Sequence, residues 1–303
     1  MHLGNSIICP VTGMTMLAAA GIGIYYAYKT AKKDFKKENI MFAIVMTMFV
    51  FALQMINFAI PQTGSSGHII GAVLLAALLG PSCAYLAICT ILLVQAVFFA
   101  DGGLLALGCN IFNMGFLACF MVYPLIYKPL AERKRFVSAS VLASAAALQL
   151  GSFAAAAEGI ISGSISGNPA NFLGLMQFIH LPIGIIEGLF TAIIVVLANK
   201  TNFSEKLTYS IGGISLILAG FIAQFASSKP DGLEWSLLNI SDSVTELSEG
   251  MLYSISSALQ SKLAVLQALN PVAANIAGIC IVAVFMMILC KRLSYNTVKI
   301  NDK

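Results

Sequence analysis

Nine long apolar runs follow one another along this chain, near residues 11–28, 40–60, 66–80, 82–100, 104–127, 137–160, 173–198, 208–226 and 272–290. A helix needs ~20 such residues to cross a hydrocarbon core of ~30 Å, so the runs read as successive membrane crossings. They lack the alternation of an outer-membrane barrel, which disfavours strands. With 59% of 303 residues apolar and 10% charged, the chain has too few polar side chains to cover a water-soluble domain. The expected fold is an all-α integral membrane protein, multi-pass, seated in the lipid bilayer of the cell (cytoplasmic) membrane.

Basic residues orient it. No Lys or Arg precedes the first run, whereas Lys29, Lys32, Lys33, Lys36 and Lys37 follow it, the reverse of a secretory signal. Such a cluster stays in the cytoplasm, which places Met1 outside. Lys128 with Arg133, Lys134 and Arg135, then Lys200 with Lys206, and finally Lys291, Arg292, Lys299 and Lys303 fall inside on the same count, leaving the C-terminus cytoplasmic and only Lys229 and Lys262 outside. The 66–80 run, ending at Gly80-Pro81, is short for a crossing, but parity requires two helices between residues 61 and 103.

Residues 1–205 are expected to form a bundle of seven helices with short turns, and residues 206–303 a two-helix module appended to it. The boundary falls between Thr201 and Thr208. The outer segment of the module, residues 227–271, carries Asp231, Glu234, Asp242, Glu246 and Glu249. Small residues gather at Ala18 to Gly23 and Ala143 to Ala157, where close helix contact can serve packing within the bundle or docking of another membrane subunit. The seven cysteines show no metal-like spacing and read as apolar packing residues. A formal net charge of +4 is accounted for by the inner loops and indicates no nucleic-acid partner.

Only three histidines occur, His2, His68 and His180, and the topology puts all three near the outer face. A histidine at position two makes a chelate: the free amine of Met1, the backbone nitrogen of His2 and its imidazole close two fused rings in one plane. A fourth nitrogen would complete a square that suits Ni(II) or Cu(II). His68 is the natural donor, since it follows Gly64-Ser65-Ser66-Gly67, whose glycines let backbone approach an ion. His180 and Glu187, seven residues apart, share a helix face and form either an inner relay beneath the metal or a structural pair. Asn110 and Asn113 more often bond between helices than touch cargo. Asp101 and Glu158 sit at outer helix ends and can draw cations inward. No phosphate-binding glycine-lysine loop is present, so ATP, if it drives transport, binds another chain.

Met1-His2, Gly64-Ser65-Ser66-Gly67-His68 with Gly71, Leu79-Gly80-Pro81, Gln95 with Phe99-Ala100-Asp101-Gly102-Gly103, Gly108-Cys109-Asn110-Ile111-Phe112-Asn113-Met114-Gly115, and His180 with Gly184 and Glu187-Gly188 together resemble the cobalt/nickel substrate-binding (S) components, the CbiM/NikM family, of energy-coupling-factor transporters, a class of ABC importers. Pro230-Asp231-Gly232-Leu233-Glu234 resembles the small N-type partner subunit of such systems, here fused to the S component. The resemblance implies a seven-helix bundle that binds Ni(II) or Co(II) as transported substrate, with no organic cofactor, through Met1, His2 and His68. It further implies a membrane coupling (T) subunit and a pair of cytoplasmic ATPases (A), so the chain is not itself an enzyme. Family members often carry an acid at the fifth position where this chain has Asn5. Asn5, Ser66, Asn110, Asn113, His180 and Glu187 are the expected supporting residues. The competing expectation is a proton-coupled metal carrier in which Glu187 and His180 move the proton; for an enzyme, no nucleophile and base stand in convincing relation.

Overall fold

The computed structural model describes residues 1–201, 205–240 and 244–301; Asp242 and Lys303 lie outside them. A 3-10 turn at Asn5–Ile7 leads into α1 (Pro10–Asp34), which opens on proline, a residue suited to a first turn because it lacks the N–H that would go unpaired there. Lys32 and Lys33 occupy its last turn, where cations complement the helix dipole. After α2 (Ile40–Gln54) the chain leaves helical geometry and forms a short antiparallel ribbon, β1 (Phe58–Ala59) with β2 (Ser66–Gly67), in the register Phe58 to Gly67 and Ala59 to Ser66.

Next come α3 (Ala72–Leu79) and α4 (Pro81–Val94), separated by Gly80 at φ 79, with α4 running on through a π-helical stretch, Gln95–Phe99. A long helix from Leu107 to Glu132 follows: α5 (Leu107–Ile111), a π-helical span Phe112–Tyr127, and α6 (Lys128–Glu132). Pro124 sits within the π-helical span, where its missing N–H leaves one carbonyl a turn back without that donor. α7 (Phe136–Ser162), α8 (Pro169–Thr201), α9 (Glu205–Gly220), α10 (Gly232–Leu238), α11 (Met251–Leu263) and α12 (Pro271–Asn301) complete the chain.

Among the described residues six helices are long and apolar enough to cross a membrane: Lys37–Gln54, Pro81–Phe99, Leu107–Glu132, Phe136–Ser162, Pro169–Thr201 and Pro271–Ser294. Helices also occupy the other three apolar runs, as α1, α3 and α9. The 66–80 run is helical only in part. Only eight residues are helical there, a length of roughly 12 Å at 1.5 Å per residue, well short of a bilayer. The reason is local: the segment before α3 is ribbon and turn, with Gly64 at φ 75 and Gly71 at φ 73, conformations that side chains resist.

Small residues pack the interior. A Cβ on Gly184 would lie 2.8 Å from Ala145 Cα, and one on Gly188 3.0 Å from the Ser140 carbonyl, so α7 and α8 touch backbone to backbone. This gives the alanine-rich 143–157 stretch a packing role within the bundle. Along α1, by contrast, Val11, Met14, Ile22, Tyr25 and Tyr26 stay exposed. α12 does not stand apart: Gly278 lies against the rings of Phe51 on α2 and Phe99.

Candidate metal centre

The first eight residues turn into the protein. Met1 is 3% exposed and Leu3 and Ile8 are fully buried. Residue 3 is held on both its polar atoms, Leu3 N donating to Asn110 Oδ1 (2.8 Å) while Asn110 Nδ2 (3.1 Å) and Gly103 N (2.9 Å) donate to Leu3 O. Two residues on, Asn5 Oδ1 accepts from Leu105 N at 2.8 Å. These bonds satisfy a buried irregular backbone, which would otherwise be costly, and they bring Met1 and His2 to the centre.

His68 arrives on the ribbon. Ser66 N donates to Pro230 O (2.8 Å) and Ser66 Oγ to Lys229 O (2.7 Å), so the segment before α10 pins the strand that precedes the histidine. Gly67 must be glycine: a Cβ there would stand 2.6 Å from Ile183 Cδ1. The His68 ring stacks on that of His2, with centroids 5.1 Å apart and planes 22° from parallel. His2 Nδ1 is 3.4 Å from Asp101 Oδ1, and the Met1 amino group donates to Asp231 Oδ2 at 2.6 Å.

Asp231 explains the Pro230-to-Glu234 motif residue by residue. Its Oδ1 accepts from Glu234 N (2.8 Å) and caps α10, leaving Oδ2 for the Met1 amine. Gly232 faces His180, where a Cβ would be 2.9 Å from the ring. Trp235 Nε1 donates to Thr63 O (2.8 Å), tying α10 to the ribbon loop.

Electrostatics prepare the two rings for a cation. Burial pushes the His2 imidazole below its ordinary pKa, with Asp101 opposing, and burial together with the Met1 ammonium and His2 pushes His68 well below. Both are therefore neutral at pH 7, the form in which imidazole offers a lone pair. Burial acts to raise the Asp231 carboxyl, but the Met1 ammonium and the Glu234 N–H outweigh it and hold the group below its usual range. His2 Nε2 and His68 Nδ1 are buried with no hydrogen-bond partner, a condition that calls for an explanation in any folded protein.

A cavity of about 770 Å³ reaches these rings, with Asp101, Asp231, Glu234 and Glu246 on its wall. A second, of about 570 Å³ at the other end of α1, is walled by residues such as Glu38, Gly80, Pro81 and Glu205 and has no imidazole. Chemistry rather than size picks out the first. Among the described residues no three of His, Cys, Asp and Glu converge in a metal-binding cluster.

The expected supporting residues divide. Asn5, Ser66 and Asn110 hold the arm and ribbon as described. Asn113 instead donates to Glu158 Oε2 (2.6 Å), and His180 Nδ1 lies 2.7 Å from Met176 O, its ring beneath the centre on a small void shared with Met1, His68 and Asp231. Glu187 is committed to α3: Oε2 accepts from Ile70 N (2.7 Å) and Oε1 from Gly71 N (3.1 Å). Sequence reasoning missed Asp231 and Gln260 as contacts of the arm. The signal for Asp231 was the motif itself; for Gln260 there was none.

The arrangement defines a class, a multi-pass membrane protein whose folded-in N-terminal arm meets a histidine-bearing loop. Residues 2–204 match the family described as the cobalt uptake substrate-specific transmembrane region (CbiM), and residues 205–294 match the PDGLE domain. The chain belongs to the CbiM family. It is 32% identical over 193 residues to a putative fused nickel transport protein, NikMN, of Archaeoglobus fulgidus, an alignment spanning 63% of each chain. It is 29% identical over 200 residues to the cobalt transport protein CbiM of Clostridioides difficile, covering 64% of this chain and 78% of that one. A crystal structure of a truncated transition metal transporter superposes with a TM-score of 0.59 at 31% identity, covering 66% of this chain and 99% of the other.

Proposed function

We propose that this chain is the substrate-capturing subunit of an ATP-driven importer of Ni(II) or Co(II). The ion is held by the Met1 amine, the His2 backbone nitrogen, His2 Nδ1 and a nitrogen of His68. The observation that carries this reading is the stacking of the His2 and His68 rings, with His68 Nδ1 buried and unpartnered, on the arm whose Met1 amino group is itself buried against Asp231. Four nitrogens near one plane suit a square-planar d8 ion, which favours nickel over cobalt. Capture takes the Met1 nitrogen away from Asp231, and the carboxylates around the cavity favour a cation on approach.

On this reading residues 1–205 are the metal-binding unit and residues 206–303 the fused N-type module, with Met1 outside and the C-terminus cytoplasmic. A coupling subunit and a pair of cytoplasmic ATPases supply the energy. The proton-carrier alternative asks Glu187 and His180 to exchange a proton, and each is already committed to backbone, Glu187 at Ile70 and Gly71 and His180 at Met176. The decisive test is metal content of the purified protein beside His2→Ala and His68→Ala, with uptake measured when a partner ATPase is disabled. Wild-type levels of bound nickel or cobalt in both variants, or uptake that ignores the ATPase, would overturn the proposal.

A further inference from the structure

Among the described residues the C-terminal module hydrogen-bonds to the N-terminal arm at four places. Besides Asp231 on Met1, Leu247 N donates to Ser6 O (2.8 Å) and Tyr253 Oη to Ile8 O (2.9 Å). The fourth contact is made by Gln260, a residue 8% exposed on α11. Its amide uses every bond it has room for. Nε2 donates to Ala96 O (2.9 Å) and to Gly102 O (2.7 Å), while Oε1 accepts from Asn5 Nδ2 (3.0 Å).

The two carbonyls it grips belong to the turn that faces His2. Ala96 follows Gln95, and Gly102 follows Asp101, whose carboxylate lies 3.4 Å from His2 Nδ1. This turn is conformationally demanding, with Ala100 at φ 51 and Gly102 at φ 81. Asn5 in turn anchors the arm to Leu105. A single buried side chain thus fastens the backbone on one side of His2 to the arm on the other.

From this we infer that Gln260 is a positioning residue for metal capture, fixing the N-terminal chelate against the Gln95-to-Gly102 turn through its paired contact with Asn5. The inference rests on the proposed metal centre. It also gives the amide at position 5 a reason: Gln260 has both N–H groups engaged by carbonyls and needs a donor for Oε1, which Asn5 provides and an aspartate cannot. A carboxylate at position 5 would set oxygen against oxygen in a buried contact.

Outer supports of this type are worth 10- to 100-fold in metal affinity in other sites. The experiment titrates the full-length protein with Ni(II) and with Co(II), following affinity, stoichiometry and the absorption of the nitrogen-ligated ion, alongside the melting temperature of the metal-free protein. Gln260→Ala is expected to weaken binding roughly 10-fold or more, with one ion still bound and its spectrum shifted. Asn5→Asp should do the same, and Asn5→Ala combined with Gln260→Ala should cost little more than either alone. Gln260→Asn, which keeps the amide on a shorter stem, tests geometry and should recover only part of the loss.

Unchanged affinity in a folded Gln260→Ala protein, or fully additive effects of the Asn5 and Gln260 changes, overturns the inference. A fall in melting temperature with affinity unchanged overturns it too, because Gln260 then serves the fold alone. His2→Ala and His68→Ala, titrated in parallel, separate this failure from failure of the centre itself: if those variants still bind metal normally, the proposed ligands are wrong, and if they do not, only the role of Gln260 is in question.

Discussion

Two buried polar sites lie close together in this protein and are finished differently. At the start of α3, Glu187 places both carboxylate oxygens on backbone N–H groups of Ile70 and Gly71, so the charge answers the unpaired donors of a helix start. At the N-terminal arm, His2 and His68 each keep a buried nitrogen with no partner, beside a cavity walled by carboxylates. Burying polar atoms without hydrogen bonds costs stability, and on the proposed reading the metal ion is what answers the open site. The same contrast separates the roles that the sequence left joined: Glu187 builds the platform on which the His68 loop ends, and on the proposed reading the imidazoles do the binding.

The comparison breaks first at the arm. Extending the chain before Met1 converts the amine to an amide, removing a donor and one chelate ring, and should abolish Ni(II) binding, a loss of at least 100-fold, in protein that still folds. Unchanged affinity in such a folded, extended protein would reject the chelate. At the completed site the effects should be inverted. Glu187→Leu leaves two buried N–H groups unpaired, each costing about 1–3 kcal/mol, so it should lower the melting temperature or prevent folding. Glu187→Gln, which still accepts one bond, should lie between and bind metal near normally once folded. A Glu187→Gln protein of unaltered stability that fails to bind would return this residue to the metal pathway.

Gly67 joins the two sites and should give an intermediate result. Gly67→Ala drives a methyl into Ile183, 2.6 Å away, so either the ribbon or α8 must yield. We expect metal affinity to fall about tenfold, in line with disturbance of a ligand's support rather than of the ligand. Metal titration checks this, and an affinity within error of wild type would show that His68 is not held by the ribbon.

How much of this could be read from the sequence follows from what each residue advertises. Helices appear in all nine apolar runs because burial in lipid writes itself as length and composition. Residues 66–80, helical only from Ala72 to Leu79, show the limit: hydropathy does not distinguish Ile69 and Ile70, buried in an irregular segment, from residues of a helix. His2 and His68 were legible because three histidines in a lipid-like chain leave little choice, and the positive-residue count placed them on one side. Asp231 was visible as a motif, but its bond to Met1 spans 230 positions, and no local pattern records such a pairing. Gln260 carried no signal at all, since an isolated glutamine on α11 looks the same whether it faces water or a buried turn.

The smallest predicted effect concerns pH and sharpens the difference in protonation between ligand types. Burial holds the His2 and His68 imidazoles below their ordinary range, so each stays neutral to lower pH than a free imidazole does. The Met1 amine and the His2 amide must each shed a proton to bind metal, and binding should therefore tighten as pH rises, releasing up to about two protons per ion. The sign follows directly: protons compete with the ion at the backbone nitrogens, so affinity falls on acidification. Calorimetry in buffers of different ionisation enthalpy counts those protons. A count near zero, or one that tracks titration of imidazole between pH 7 and 6, would mean that the histidines bind without the chain's own terminal nitrogens, and the open site would then be a two-imidazole site rather than a chelate.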